Sequence, residues 1–300
     1  VRRDRTGDLF RPNAALMTVL RRLSLALLPL ACTGAFAQTE SVPAPPTANG
    51  TGRPLWEVGG VALGVSQQAY PGSSRQVKRG LALPFAIYRG KFFRADNDGI
   101  GVRPVKTPLY EFDISAAGSF GSSASNDPVR GGMPNLGTLV EFGPRLKVNL
   151  GPAPLGGQWR ADLPLRGVFD LSHQLKYRGA VFQPGITWSR RPGGGWLSGG
   201  GVSVLFADQR LARTFYEVAP RFARAGRPAY EAEAGLLATR LSLFASKDIA
   251  RDWTVFTFAR LDSVAGAANR ASPLVRETTG HTVGIGVSWT WWRSQRLEGE

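Results

Sequence analysis

Cysteine and histidine are almost missing from this chain. Its 300 residues include one cysteine, Cys32, and two histidines, His173 and His281. A single cysteine cannot form a disulfide within the chain. Hydrolases that use a serine or cysteine nucleophile need a positioned base, which is usually histidine. Both histidines lie at the ends of predicted strands, where surface residues are common. We therefore expect no enzymatic activity, no cofactor and no metal site.

Long hydrophobic runs are also missing. No stretch of the chain has 18 consecutive apolar residues. A transmembrane helix needs about 20 such residues to cross a bilayer. Long segments with helical 3.6-residue periodicity are missing as well. The sequence therefore predicts neither a membrane-spanning helix nor a helical domain.

Export from the cytoplasm is indicated near the start of the sequence. Arg21 and Arg22 precede a short apolar segment, Leu23 to Leu30, and an Ala-Phe-Ala cleavage pattern ends at Ala37. This arrangement is typical of a secretory signal peptide, which we place at 17–37.

The flanks of the predicted signal peptide carry no strand or helix pattern. Residues 1–16 precede Met17, and we interpret them as an extension ahead of the true start. Residues 38–54 are rich in proline, threonine and glycine. Such a composition is typical of a disordered segment, and we expect a periplasmic linker there.

Positive charge exceeds negative charge. The chain has 37 Lys and Arg against 22 Asp and Glu, a formal net charge of +15. A basic chain can bind nucleic acid, but the positive residues are scattered and the chain carries an export signal. We therefore expect no nucleic-acid partner. Anionic envelope components, above all outer-membrane lipid and lipopolysaccharide, are the expected neighbours.

Alternating residues mark the strands, as the segment HTVGIGVSWTWW (281–292) shows. Val283, Ile285, Val287, Trp289 and Trp291 fall on one face, and small or polar residues fall on the other. Successive strand residues point to opposite faces of a sheet. This segment is therefore predicted to be a strand with one apolar face and one face suited to water.

Similar alternation recurs along the chain, between turns rich in Gly, Pro, Asn and Asp. Clear patterns cover 81–87, 110–116, 139–150 and 159–171, and weaker ones cover 56–67, 92–104, 176–190, 196–208, 230–246 and 253–264, with a short candidate at 215–218. This predicts about twelve strands (10–12), several with the 9–11 residues that a tilted membrane strand needs. Prolines at 84, 144, 164 and 184 predict bulges or missing ladder bonds.

Two all-β architectures fit these patterns. A secreted β-sandwich would bury the apolar faces, whereas a transmembrane antiparallel β-barrel would turn them to lipid. Seven tryptophans, Trp56, Trp159, Trp188, Trp196, Trp253, Trp289 and Trp291, lie near predicted strand ends, as an interfacial girdle requires. We therefore predict an outer-membrane barrel over 55–292, followed by a tail at 293–300.

Charged residues on the polar faces are expected to line the lumen. By parity they are Glu141, Arg145, Lys147, Arg160, Asp162, Arg166 and Asp170. A hairpin closing at 151–157 would place Arg145 near Asp162 and Glu141 near Arg166. We interpret these residues as a structural network rather than a transport path. Lysine at Val140, on the outer face, is expected to cost more stability than lysine at Glu141.

Short motifs in a fixed order resemble those of the MipA/OmpV family of Gram-negative outer-membrane proteins. Two of them are Tyr70-Pro71-Gly72-Ser73 and Arg130-Gly131-Gly132-Met133-Pro134. Further matches are Glu141-Phe142-Gly143-Pro144, Leu163-Pro164-Leu165-Arg166, Phe215-Tyr216-Glu217-Val218, Ala229-Tyr230-Glu231-Ala232 and Ser272-Pro273-Leu274-Val275. The resemblance covers about 55–292.

The resemblance implies a non-enzymatic outer-membrane protein. The best-known member of the family is a scaffold that links a lytic transglycosylase to a bifunctional peptidoglycan synthase. For such a role we expect contacts through the 38–54 linker or the loop 122–136, which we place on the periplasmic side together with the termini. A pore for small solutes remains an alternative, as does a surface adhesin or ligand-binding barrel.

Overall fold

The computed structural model describes residues 54–89, 93–96, 99–102, 105–106 and 109–297. The expected extension (1–16), the signal peptide (17–37) and all but the last residue of the linker (38–54) lie outside the described residues. Within the described part of the chain, no helix is long and apolar enough to cross a membrane.

The described residues form fourteen strand segments and one α-helix. In chain order they are β1 (Trp56–Gln68), β2 (Gln76–Arg89), β3 (Phe93–Asp96), β4 (Gly99–Val102), β5 (Val105–Lys106), β6 (Tyr110–Ser119), β7 (Leu139–Ala153), β8 (Gly157–Asp170), β9 (Lys176–Phe182), β10 (Gly185–Gly193), β11 (Trp196–Ala207), α1 (Gln209–Tyr216), β12 (Gly235–Ala250), β13 (Trp253–Ser263) and β14 (Thr279–Arg293).

All strands belong to one antiparallel sheet. Its order is β4-β3-β2-β1-β14-β13-β12-β11-β10-β8-β7-β6-β5, and β9 pairs with β8 and β11. The first long strand pairs with the last, and β4 also contacts β6, so the sheet curls round on itself as a barrel. The predicted all-β outer-membrane barrel is confirmed.

Strands β9 and β10 are two halves of one strand. Both lie between β8 and β11, and only Gln183 and Pro184 separate them. Proline has no N–H for the ladder, which accounts for the break. At Pro144 the pairing with β8 is interrupted, whereas Pro84 pairs with Gly60 in unbroken register. The expected disruption therefore occurs at some prolines and not at Pro84.

The polar face of β14 points into the barrel and its apolar face points outward, as predicted. Ser288 and Thr282 point into the barrel and are buried, whereas Val283, Ile285 and Trp289 point outward. Ile285 is 63% exposed in the isolated chain. In an outer-membrane barrel such outward apolar residues contact lipid.

Strand β2 has its large apolar residues on the inner face instead. Ile87 is buried, and the ring of Phe85 fills the space above Gly59 on β1. Outward, β2 presents the small exposed residues Ala82, Pro84 and Ala86. Alternation defines two faces of a strand but does not say which one meets lipid, so β2 departs from the pattern seen on β14.

Connections at the two ends of the barrel differ in length. The first and last described residues, which we refer to as the termini of the barrel, meet at one end, where Leu297 bridges to Pro54 and Leu55 donates to the carbonyl of Arg296. Tight turns also lie at this end, between β7 and β8, β10 and β11, and β12 and β13. The long loops all lie at the opposite end. The predicted tail at 293–300 begins within β14, which ends at Arg293.

Tryptophan is confined to the end that carries the termini. Trp159 pairs with Trp188 across β8 and β10, and Trp253 stacks on Trp289 with ring centroids 5.2 Å apart. The remaining tryptophans are Trp56, Trp196, Trp291 and Trp292, at the start of β1 and β11 and the end of β14. The predicted aromatic girdle is therefore present at this end.

Phenylalanine and tyrosine mark the opposite membrane border. Phe142 stacks on Phe169 with centroids 4.7 Å apart, and Phe169 also contacts Tyr177. On β8, Phe169 follows Trp159 by ten positions. At about 3.3 Å per residue and a tilt near 40°, the band between the two girdles is about 25 Å tall. That height matches the apolar band of outer-membrane barrels.

Candidate functional site

The barrel wall formed by β6 and β7 carries a buried ion cluster on its inner face. Arg145 donates from Nε and Nη2 to both carboxylate oxygens of Asp113, at 2.9 and 2.7 Å. Lys147 Nζ lies 2.8 Å from Asp113 Oδ2 and 3.7 Å from Glu111 Oε1. Asp113 was not among the predicted network residues, although the alternation of 110–116 places it on the polar face.

Arg145 and Asp162, which were expected to lie close together, occupy diagonal positions of the ladder, and each binds another residue. Arg145 pairs with Pro164 in the ladder, and Asp162 pairs with Lys147. A bulge at Leu150, between Asn149 and Gly151, shifts the register near the turn. Directly paired residues must share a face, so an inner residue of β7 needs an inner partner on β8. Asp162 instead receives Arg160 Nε at 3.0 Å, from its own strand.

The expected neighbours Glu141 and Arg166 lie in contact. Arg166 Nε donates to Glu141 Oε2 at 3.0 Å, and Arg166 Nη2 donates to Gln183 Oε1 at 2.7 Å. Gln183 also accepts from Arg240 Nη1 at 3.5 Å. Gln183 therefore connects the polar residues of β7 and β8 with those of β12, a link that the sequence pattern did not indicate.

A second cluster lies on β12, β13 and β14. Arg240 Nε and Arg260 Nε each lie 3.2 Å from Asp262 Oδ1. Arg260 Nη2 also donates to Thr282 Oγ1 at 3.2 Å. All four side chains are buried. The alternation of 230–246 and 253–264 is weak, and for that reason these residues were not predicted.

Asp170 belongs to a turn and not to the lumen network. Its carboxylate accepts from Ser172 N at 3.0 Å and from Arg178 Nε at 3.0 Å, and it lies 2.8 Å from His173 Nδ1. These contacts fix the connection between β8 and β9. His173 therefore has a structural partner at the loop end of the barrel.

The long loops fold together into one body, which we call the cap. It comprises 69–75, 120–138, 208–234 and 264–278. Tyr70 donates its hydroxyl to Leu274 O at 2.9 Å, Tyr216 donates to Pro71 O at 3.0 Å, and Ser272 Oγ donates to Tyr216 O at 2.7 Å. These bonds join three of the four loops. They span up to 204 residues in sequence.

Helix α1 is part of the cap and replaces the strand predicted at 215–218. Asp208 caps the helix by accepting from Leu211 N at 2.8 Å. Leu211, Ala212, Phe215 and Tyr216 face the core of the cap. The chain leaves the helix at Glu217, and only Val218 forms an isolated bridge, to Tyr230. The Asp at the N-cap position was the signal that could have indicated a helix.

Arg130 lies at the centre of the cap. Its Nη1 donates to Phe215 O at 3.0 Å, and its guanidinium carbon lies 5.6 Å from the centroid of the Tyr70 ring. Burial lowers the pKa of Arg130 and raises the pKa of Tyr70 to about 12, while their mutual interaction opposes both shifts. Arg227 adds bonds to Val129 O and Gly131 O at 2.7 and 3.0 Å.

The family-type motifs outside the strands meet in this cap. Tyr70, Pro71, Gly72, Ser73, Arg130, Gly131, Met133 and Pro134 all lie in its loops, and so do 215–218, 229–232 and 272–275. Gly72 and Gly132 have φ of +85° and +80°, which only glycine adopts readily. As part of the cap, the loop 122–136 lies at the end of the barrel opposite Pro54 and Leu297, and the expectation that it lies at their end is wrong.

The described side chains of the cap and the lumen form ion pairs and packing contacts. Among the residues that the structure describes, no three His, Cys, Asp or Glu side chains are grouped to hold a metal ion.

Solved structures with some likeness to this chain are outer-membrane proteins. A bacterial polysaccharide outer-membrane secretin is 8% identical, with a TM-score of 0.38, over 79% of this chain and 99% of that one. The translocator domain of the autotransporter NalP from Neisseria meningitidis is 13% identical, with a TM-score of 0.35, over 92% and 96%. OprB from Pseudomonas putida is 7% identical, with a TM-score of 0.35, over 79% and 94%. Sequence identities and TM-scores this low give no information about function.

No curated protein matches this chain. A family model does, and its match covers 59–291. That range begins in β1, ends near the last residue of β14 and includes the whole cap. The chain belongs to the family of the MltA-interacting protein MipA.

Proposed function

We propose that this barrel is a non-enzymatic scaffold that holds murein-degrading and murein-synthesising enzymes at the outer membrane. Support comes first from the family, which is named for a protein that interacts with MltA. The resemblance described above extends this role to a lytic transglycosylase and a peptidoglycan synthase.

The observation that favours a scaffold over a pore is the self-paired lumen. Glu141, Arg145 and Lys147 are 5–6% exposed and bind other side chains of the wall. In porins the lumen is a water-filled channel. Charges that are buried against one another fill space and brace the wall instead. The cap adds a packed layer at the loop end.

The orientation of the barrel decides which surface can meet periplasmic enzymes. Outer-membrane barrels have short periplasmic turns and long extracellular loops. By this rule the termini and tight turns face the periplasm, and the cap faces outward. A murein enzyme would then dock on the turns and the chain ends, and not on 122–136.

The periplasmic rim, as we call residues 154–156, 193–195, 251–252 and 292–297, has the composition of a binding surface. Trp292 is 66% exposed, and Leu155 is 76% exposed. Arg251 and Arg296 are also exposed. Tryptophan and arginine are the residues that most often dominate interface energies. A partner with an acidic patch beside an apolar pocket would fit this rim.

A pull-down from solubilised envelopes tests the proposal. Full-length protein is expected to recover a lytic transglycosylase or a peptidoglycan synthase. Trp292→Ala combined with Arg251→Ala should reduce recovery at least tenfold, whereas Arg224→Ala in the cap, a matched exposed arginine, should leave it unchanged. Recovery of neither enzyme, under conditions that preserve a known complex, would refute the scaffold.

Planar-bilayer recordings test the competing pore. A barrel with a self-paired lumen is expected to give no stable unitary conductance. Discrete, reproducible current steps from refolded protein would contradict the closed lumen and support transport of small solutes.

A further inference from the structure

The inner face of β1 and β2 is apolar along most of its length. Leu63 on β1 pairs with Leu81 on β2 and with Gly286 on β14, whose position points into the barrel. Successive inner positions lie two residues apart on each strand. They carry Val61, Leu63 and Val65 on β1 and Leu81, Leu83 and Phe85 on β2, which together we call the apolar strip.

Side chains of the apolar strip are less buried than charged side chains of the same lumen. Leu81, Leu83 and Phe85 are only partly buried, whereas Arg145 and Lys147 are 6% and 5% exposed. Large apolar residues are usually the most deeply buried residues of a protein, and charged residues the least. The lumen reverses this order, so solvent-sized space lies beside the apolar strip rather than beside these ions.

Strand β2 also reverses the usual arrangement of a membrane strand. Its outward positions between 80 and 86 carry only small residues, Gly80, Ala82, Pro84 and Ala86. Strands of outer-membrane barrels normally present large apolar residues to lipid and polar residues to the lumen. Strand β2 therefore offers its apolar surface to the lumen and not to the bilayer.

The cap closes the apolar strip at one end. Leu63 and Leu81 pack against the buried core that contains Tyr70 and Val77. From there the strip runs along β1 and β2 toward the end that carries the termini. A groove of this form can hold a ligand without carrying solutes through the barrel, which is consistent with a lumen that does not conduct.

Strand β2 has a free edge beside the apolar strip. It pairs with β1 from Gln76 to Tyr88, but with β3 only at Tyr88 and Arg89. Strand β6 pairs with β7 along its whole length and with β5 only near its start. Among the described residues, therefore, no ladder joins β2 to β6. Backbone groups without partners are costly in a bilayer, and this edge is where a lipid chain would enter the lumen.

A cation continues the same inner face at the cap end of the strip. Arg79 pairs with Val65 and is exposed. Its Nη1 donates to the backbone carbonyl of Lys78 at 3.2 Å, and it forms no ion pair with the residues that the structure describes. From Arg79 to Phe85 the strand extends about 20 Å. One leaflet of a bilayer core, and hence one acyl chain, is about 15 Å deep, so the strip has room for such a chain below the cation.

We propose that the apolar strip binds the alkyl chain of a long-chain fatty acid, with the carboxylate at Arg79. Ligand sites are usually lined by apolar side chains and carry a few polar groups that fix the orientation of the ligand. Arginine suits a carboxylate because its N–H groups form a planar fork. The acid enters from the bilayer at the free edge of β2. This site is independent of the scaffold role, because it holds a ligand inside the barrel and not a partner at the rim.

Photolabelling in lipid vesicles tests the site. Refolded full-length protein is illuminated with a hexadecanoic acid that carries a diazirine on its chain, and labelled peptides are identified by mass spectrometry. We expect label on the apolar strip, and excess unlabelled hexadecanoic acid should reduce it at least fivefold. Label on outward residues such as Val283 and Ile285 comes from bulk lipid and should persist. Label confined to outward residues, or strip label that excess acid does not reduce, would overturn the proposal.

Two pairs of variants make the test specific. Leu83→Gln should lower the competable label at least fivefold, whereas Leu197→Gln, which alters a partly buried inner leucine of β11, should leave it unchanged. Arg79→Gln should abolish the preference for hexadecanoic acid over hexadecanol as competitor, and Lys78→Gln, on the outer face of the same strand, should retain it. Equal results for a variant and its control would contradict the proposal, and the second pair decides the matter if Leu83→Gln does not fold.

Discussion

Arg130 joins the second long loop to the first and to helix α1 at once. Its guanidinium carbon lies 5.6 Å from the centre of the Tyr70 ring, and its Nη1 donates to the carbonyl of Phe215 at 3.0 Å. Tyr70 in turn lies 6.3 Å from Phe215 and 6.0 Å from Tyr216, measured between ring centroids. One buried cation therefore holds three segments of the cap together.

Replacing Arg130 by methionine should loosen the cap and leave the barrel intact. The change removes a cation–π contact and a charged hydrogen bond, together worth about 2–4 kcal/mol. Limited proteolysis should then cut 120–138 much faster, while the folded barrel keeps its mobility in unheated gels. Arg221→Met, which alters an exposed cap arginine over Phe222, is the control. Equal cleavage of both variants would show that Arg130 does not hold the cap.

Strong alkali should open the cap through Tyr70. Burial raises the pKa of Tyr70 from its usual 10.0 to about 12, so the neutral phenol is favoured in the folded cap. The corresponding stability, about 2–3 kcal/mol, is fully present below pH 10 and is lost as pH rises from 10 to 12. Proteolysis of the cap across this range measures the loss.

Tyr70→Phe is the control for that titration. The variant lacks the bond to Leu274 O and should be less stable at pH 8 by about 1 kcal/mol. It should also show a flatter decline above pH 10. If both proteins open with the same pH profile, other groups control the alkaline transition.

Lysine at Glu141 should destabilise the barrel through Arg166. The change leaves two buried cations where one ion pair was, at a cost of about 3–5 kcal/mol. Leu165→Lys, on the outer face at mid-height, should cost roughly 2–4 kcal/mol. Unfolding in urea from lipid vesicles would measure both. A Glu141→Lys barrel as stable as the parent would exclude a structural role for the ion pair.

Lysine at Val140 is expected to cost least of the three. Val140 pairs with Phe169, so it lies beside the aromatic residues at the loop-end border of the membrane. Near an interface the cost of lysine falls to about 0–1 kcal/mol. This order reverses the one that alternation alone led us to expect, because alternation gives the face of a residue but not its depth.

Gly286→Ala should destabilise the wall between β1 and β14. An added Cβ would overlap the Phe256 ring and approach the backbone carbonyl oxygen of Ala62 to 2.8 Å. Overpacking of this kind costs about 1–3 kcal/mol. Gly64→Ala is a matched control because nothing lies within 4 Å of its added Cβ. Equal urea midpoints for the two variants would disprove the close packing.

The architecture of the wall was largely predictable from the sequence. A period of two residues depends only on the pleat, so Glu141, Arg145 and Lys147 could be assigned to the inner face without knowledge of their partners. The partners were harder to predict, because register depends on the turn and on one bulged residue, Leu150. In the actual register, Asp162 lies opposite Lys147, and Pro164 lies opposite Arg145.

The cap could not be predicted in the same way. Its motifs lie in separate loops, and contacts such as Tyr70 with Leu274 have no periodic signal. The sequence also does not show whether an apolar face points to the lumen or to the lipid. On β2, Phe85 points inward because Gly59 leaves room for its ring. Only the neighbouring strand supplies that information.

The confinement of tryptophan to one end makes ultraviolet spectroscopy selective. All eight indoles lie on the membrane wall near the chain termini, and the cap contains tyrosine and phenylalanine but no tryptophan. Fluorescence excited at the long-wavelength edge of protein absorption comes from tryptophan. It therefore reports unfolding of the wall and does not change when only the cap opens. A dye on an engineered cysteine in the cap, paired with those indoles as energy donors, would make the two events separately visible in one titration.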